Sequence, residues 1–191
     1  MNPLGYAWQS YTLFPREELL QIATEERPTM SVALDPVRQF LRHSVATVAY
    51  RAAKAVRDAP ESFAEFRSGE STRAPSKILA HMGDLFDWAL SMARGQTAWR
   101  DSEPLPWHAE VKRFFATLQA FDDFLASQEP LRAPAEKIFQ GGIADALTHV
   151  GQIAMLRRLS GSPIRGENYS MAEIVPGRCG QEQSAPRREF E

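Results

Sequence analysis

Three side chains of this sequence have the types and spacing for metal chemistry. In GGIADALTHVGQIAMLRRL, residues 141–159, Asp145 and His149 stand four apart, and Gln152 follows one turn later. In APSKILAHMGDLFDW, residues 74–88, His81 is followed by Asp84 and Trp88. Taking ~100° per residue, Asp145 falls about 40° from His149 around a helix, Gln152 about 60° to the same side and Leu156 about 20°. Val150, Ile153 and Ala146 lie on the other side, so His149 sits inside an apolar arc, toward one edge. An i, i+4 pair can reach a single point. His81 likewise lies beside an apolar face continued by Met82 and Leu85.

Two imidazoles and one carboxylate on facing helices suit zinc, iron or nickel, and three protein ligands leave positions open for water or substrate. Gln152 and Asp84 are placed to hydrogen-bond a ligand or a bound water from behind. Trp88 is a candidate wall for a pocket between the helices. Each residue also has a plainer reading. An inward histidine serves as an ordinary hydrogen-bonded core residue, His81 is early enough in its helix to contact solvent, and an acid near a helix start complements the helix dipole.

His43 projects away from Leu41 and Val48, on the solvent side, and His108 opens a helix after Trp107. Both are weak candidates. Cys179 is the sole cysteine, so no intrachain disulfide forms and a reducing compartment fits. Arg178 beside it lowers its pKa if the pair is close, although an incidental thiol is the simpler reading. No glycine-rich phosphate loop and no Ser-His-Asp spacing is present. A net charge of −2 carries no nucleic-acid footprint. No apolar run approaches the ~20 residues of a membrane span. The opening MNPLGYAWQSYTLF lacks the features of a signal peptide, so a cytoplasmic protein is expected.

Four amphipathic helices must position these residues. Asp35-Pro36 is an N-cap followed by proline at N1, and Val37, Phe40, Leu41, Val45, Val48, Ala52 and Val56 recur on one face before Ala59-Pro60. A second helix starts near Pro75, with Ile78, Leu79, Met82, Leu85, Phe86, Ala89 and Ala93 as its apolar face and Gly95 as its stop. A connection with Pro104 and Pro106 leads to a third, from about Trp107 to Ser127, carrying Val111, Phe114, Phe115, Leu118, Phe121 and Leu125. After Pro130 and Pro134 comes a short helical piece, 135–140. Gly141-Gly142 is expected to interrupt it, and a fourth helix runs to Leu159, stopped by Ser160-Gly161-Ser162-Pro163. No stretch has a period of two. The pattern predicts an all-α four-helix bundle over 35–163, with an irregular N-terminal arm, 1–34, and a C-terminal tail, 164–191. Trp8, Tyr11 and Phe14 imply that the arm packs on the bundle. The polar tail is a candidate for disorder, although Tyr169, Met171, Ile174 and Val175 argue that its first half packs.

ILAHMGDLFDWAL and DALTHVGQIAMLRRLSGSP resemble the DinB/YfiT-like superfamily of bacterial four-helix-bundle proteins, over roughly residues 35–163. The His-x-Gly-Gln segment and the Leu-Arg-Arg-Leu that follows are the most specific parts. The resemblance implies a divalent-metal site with His81 as first ligand and His149 as last. Where the family usually has a histidine four residues before the last ligand, this chain has Asp145, giving two histidines and one carboxylate. It also implies a metal-dependent transferase acting with a low-molecular-weight thiol such as bacillithiol, mycothiol or glutathione, and a homodimer. A non-catalytic small-ligand-binding or stress-associated protein is the alternative. The thiol's carboxylates would need basic groups, and Arg157, Arg158 and Arg165 are near in sequence, with Arg157 and Arg158 expected on the solvated surface.

Overall fold

A computed structural model describes residues 35–190. The N-terminal arm, with Trp8, Tyr11 and Phe14, lies outside the described residues. Helix α1, Pro36–Val56, begins as its sequence requires: the Asp35 side chain accepts from the Val37 N–H at 3.2 Å, and Pro36 follows. Its inward face is Leu41, Val45, Val48, Ala49, Ala52 and Val56. Val37 and Phe40 do not join that face, being 45% and 61% exposed. The inward place at this end belongs to Arg38. Its guanidinium donates to the carbonyls of Phe124, Leu125, Ser127 and Glu129, satisfying the last acceptors of a neighbouring helix. Phe40 leans instead on Phe139, with ring centroids 6.1 Å apart.

After a 3-10 turn, Glu61–Glu65, that seats Phe63 edge-on against Trp107, helix α2 runs from Pro75 to Ala93. All seven residues assigned to its apolar face are buried, and Gly95 ends it at φ +74°. Helix α3, Trp107–Ala126, buries all six of its expected apolar residues. Full burial of Phe114 and Phe121 contributes roughly 1.5–3 kcal/mol each.

The last helical stretch departs from expectation. Gly141-Gly142 does not break it. Helix α4, Ala135–Ile138, passes through a π turn, Phe139–Ile143, directly into helix α5, Ala144–Leu159. The reason is packing. A Cβ on Gly141 would lie 2.6 Å from Cζ3 of Trp88, and one on Gly142 3.0 Å from the Ala89 Cβ. The two glycines let α5 approach α2, and tertiary contact outweighs their poor helix propensity.

The four long helices enclose one core: α1 touches α3 and α5, and α2 touches the same two. The all-α expectation holds, the only strands among the described residues being two-residue segments. These are β1, Gly166–Glu167, and β2, Glu189–Phe190, paired antiparallel. They tie down the tail, which is anchored at a few points and belongs to the same compact unit as the helices. Its deepest anchors are not the expected Met171 and Val175, which are exposed, but Glu167 and Cys179. Glu167 accepts from the Tyr50 hydroxyl at 2.7 Å and from Lys54 Nζ at 2.8 Å, and Lys54 also bonds Glu189 at 2.6 Å. No helix among the described residues is long and apolar enough to cross a membrane.

Candidate metal centre

The π turn ends at Ile143, two residues before Asp145, and α2 presents His81 across the narrow gap that Gly141 and Gly142 allow. His149 follows Asp145 by one helical turn and is buried. The three side chains converge. His149 Nε2 lies 3.5 Å from Asp145 Oδ1, and His81 Nε2 lies 3.9 Å from Asp145 Oδ2. The imidazole rings meet edge to face with centroids 4.8 Å apart, and one donor atom from each residue lies within 4.8 Å of the other two.

These distances bear directly on metal binding. Ligand atoms of a tetrahedral ion with bonds of ~2.0–2.1 Å stand about 3.3 Å apart. The two histidine–carboxylate distances run to different oxygens of Asp145, and single donor atoms of the three residues stand within 4.8 Å, somewhat wider than a bound ion would hold them. His149 Nδ1 is 2.8 Å from Gln152 Oε1. With the amide oxygen accepting, Nδ1 holds the ring proton and Nε2 turns its lone pair toward Asp145 and His81. Burial lowers the His81 pKa, as does the adjacent His149, while Asp145 pulls the other way. A neutral imidazole is the ligating form. Asp145 keeps its side chain 44% exposed, which leaves the triad open on one side. The cluster therefore has the donor set, spacing and orientation to hold a divalent ion.

Asp84 does not back up a ligand as expected. Its carboxylate accepts from the Ser102 N–H at 2.8 Å, the Ser102 hydroxyl at 2.7 Å and Arg113 at 3.1 Å. Arg113 is itself held by buried Glu110 at 2.7 Å. This network pins the connection between α2 and α3, and with it Trp99, whose ring stands 5.6 Å from that of His81. Trp88 is half-buried against Gly141 and 6.2 Å from Trp99, and it does not line the clefts beside the triad. Trp99 is the aromatic wall of the site. No helical period marks it, because it lies in an aperiodic connection held by contacts distant in sequence, Asp84 with Ser102, Ser91 with Ala98 and its own ring with Trp88.

Two clefts flank the triad. One, about 560 Å³, lies beside His149 between α5 and the turn around Ser68–Arg73. The other, about 340 Å³, lies beside His81 and Trp99, with Lys77 and Asp101. Arg73 borders both. The arginines singled out from sequence lie elsewhere. Arg157 is buried, contrary to expectation, and donates to the carbonyls of Ala55, Arg57 and Ser162, closing the end of α1. Arg165 faces Glu189 at 3.8 Å, and Arg158 lines a separate shallow cleft with Ile164.

The remaining candidates are also outside the site. His43 is exposed, and His108 is exposed with Nε2 3.2 Å from Glu61. Cys179 is fully buried, and its pKa goes the opposite way from that expected of a neighbouring arginine: burial, then Asp122, pushes it up to about 12. The chain matches no family model, no curated protein and no solved structure.

Proposed function

We propose that this chain is a DinB/YfiT-like four-helix bundle that binds one divalent cation at His81, Asp145 and His149 and acts as a metal-dependent transferase on a low-molecular-weight thiol. The convergence of three donors from two helices on one point carries the reading. A bound divalent ion supplies the Lewis acidity that makes a coordinated thiol a thiolate at neutral pH. The chain's own groups do the rest. Gln152 fixes the tautomer of His149, Trp99 covers His81, and half-exposed Asp145 marks the side from which a substrate enters. Asp145 in place of a third histidine lowers the charge of the site by one and shifts it toward zinc or iron(II) over softer ions.

A non-catalytic ligand-binding role is the second reading, favoured by the cleft beside His149, whose size lies within the range of small-molecule sites. Cobalt(II) substitution separates the two. The enzymatic reading expects ligand-field bands from a cobalt-loaded protein, a new thiolate-to-cobalt charge-transfer band when glutathione is added, and loss of both in His81→Ala. Cobalt bands that ignore every added thiol would leave the ligand-binding role in its place.

A further inference from the structure

The cleft beside His149 has a consistent chemistry of its own. On α5, Met155 and Leu159 are four residues apart and are 57% and 55% exposed. Side chains at this spacing share one face. Buried Leu156 and Ile78 continue the apolar surface inward, as far as His149. The opposite wall is an ordered turn. Thr72 bonds the Gly69 carbonyl through its N–H at 3.1 Å and its hydroxyl at 2.7 Å, and Arg67 donates to the Thr72 carbonyl at 2.7 Å. Arg73 follows directly. It is exposed, and it forms no ion pair among the described residues. No carboxylate lines this cleft, and Arg73 is its one permanent cation. Scattered apolar residues on a surface need no explanation. Here a contiguous apolar wall faces a guanidinium without an ion pair across about 560 Å³, beside a candidate metal centre, although Asp101 and Glu103 line the neighbouring cleft that Arg73 also borders.

We propose that this cleft is the binding site of a small amphipathic carboxylate, whose carboxylate pairs with Arg73 and whose alkyl or aryl body lies on Met155, Leu159, Leu156 and Ile78. A guanidinium recognises a carboxylate through two parallel N–H donors. An ammonium group finds no carboxylate in the lining and meets the like charge of Arg73, and a neutral head leaves Arg73 unused. The inference goes beyond the metal reading and does not need a metal for its geometry. A divalent ion on two neutral imidazoles and one carboxylate adds a net positive charge next to the cleft, so the same anion binds more tightly when the centre is loaded.

Octanoate, octanol and octylammonium are the probes, titrated calorimetrically into the full chain in metal-free and zinc-loaded form, with zinc stoichiometry measured on the same samples. Octanoate is expected to bind once per chain, at least tenfold more tightly than octanol and with no saturable binding of octylammonium. Arg73→Ala should weaken octanoate at least tenfold and leave octanol unchanged. Met155→Asp, at an exposed position that does not threaten the fold, should abolish octanoate binding. Equal binding of octanol and octanoate, indifference to Arg73→Ala, or no saturable octanoate binding in either form would each overturn the proposal. Arg73-dependent octanoate binding by a protein that takes up no zinc would sink the metal reading alone. One equivalent of zinc without octanoate binding would sink this one alone.

Discussion

His149 Nδ1 and Gln152 Oε1 are 2.8 Å apart, and that contact decides which way His149 can work. With the glutamine oxygen accepting, the ring proton sits on Nδ1 and Nε2, 3.5 Å from Asp145, keeps its lone pair. Gln152→Leu removes the acceptor without touching a donor to the ion. Zinc affinity is expected to fall about 10–100-fold, the usual cost of losing such a partner. Competition against a chromogenic chelator reads this directly. Because Gln152 is exposed, thermal stability of the metal-free protein should hardly change.

Gly141 and Gly151 lie ten residues apart in one helical stretch and should respond in opposite ways to alanine. A Cβ at Gly141 meets the Trp88 ring at 2.6 Å, so Gly141→Ala forces the ring or the helix to move and should cost about 1–3 kcal/mol. Zinc affinity should fall with it, since α5 carries Asp145 and His149 away from His81. At Gly151 nothing stands within 4 Å, and Gly151→Ala should stabilise the chain by about 0.5–1 kcal/mol. Urea denaturation of the two variants checks both signs.

The Lys54 clamp gives the tail a defined pH window. Burial lowers the Lys54 pKa, but hydrogen bonds to Glu167 and Glu189 outweigh it, so the net shift is upward from 10.5. Its stabilisation is complete below 10.5 and fades as pH rises through the folded value. The Lys54 hydrogen bond depresses Glu189 from 4.5, so that contribution is complete above 4.5 and fades as pH falls through the folded value. The β1–β2 pairing should therefore hold between these limits and loosen in stronger acid or base, as amide exchange of residues 166–167 and 189–190 would report. Lys54→Ala leaves Glu167 buried without its cation and should cost about 3–5 kcal/mol.

Cys179 should be chemically silent in the folded protein. A thiol with a pKa of about 12 holds roughly a thousandfold less thiolate near neutral pH than one at 9.0, and full burial adds a steric block. A thiol-specific disulfide reagent is expected to react with one sulfur in denaturant and with essentially none under native conditions. Rapid native labelling would contradict the packing of the tail.

Local chemistry made much of this molecule legible. Asp35-Pro36, Pro75 and Gly95 act locally, through a capping side chain or their own backbones, and helical periodicity placed the buried faces of α2 and α3 correctly. The same periodicity paired Asp145 with His149 on one helix face and turned His81 inward, while their joining into one site was implied by the family resemblance. What stayed hidden depends on distant partners. Trp99 looks like an ordinary linker residue until Asp84 holds Ser102. Gly141-Gly142 reads as a break until Trp88 and Ala89 fill the space that side chains would need. Arg157 reads as a surface charge, yet it turns inward to satisfy carbonyls at the end of another helix, as Arg38 does at the opposite side of the core. Glu167 looks like tail polarity until Tyr50 and Lys54 meet it.

The most direct test of the central claim is the metal content of the purified chain after loading with zinc and exhaustive dialysis. One equivalent per chain is expected, falling to none in His149→Ala and in His81→Ala, with both variants retaining the helical circular dichroism of the parent. A parent protein that retains no divalent ion, or variants that retain as much as the parent, would contradict a metal centre at His81, Asp145 and His149.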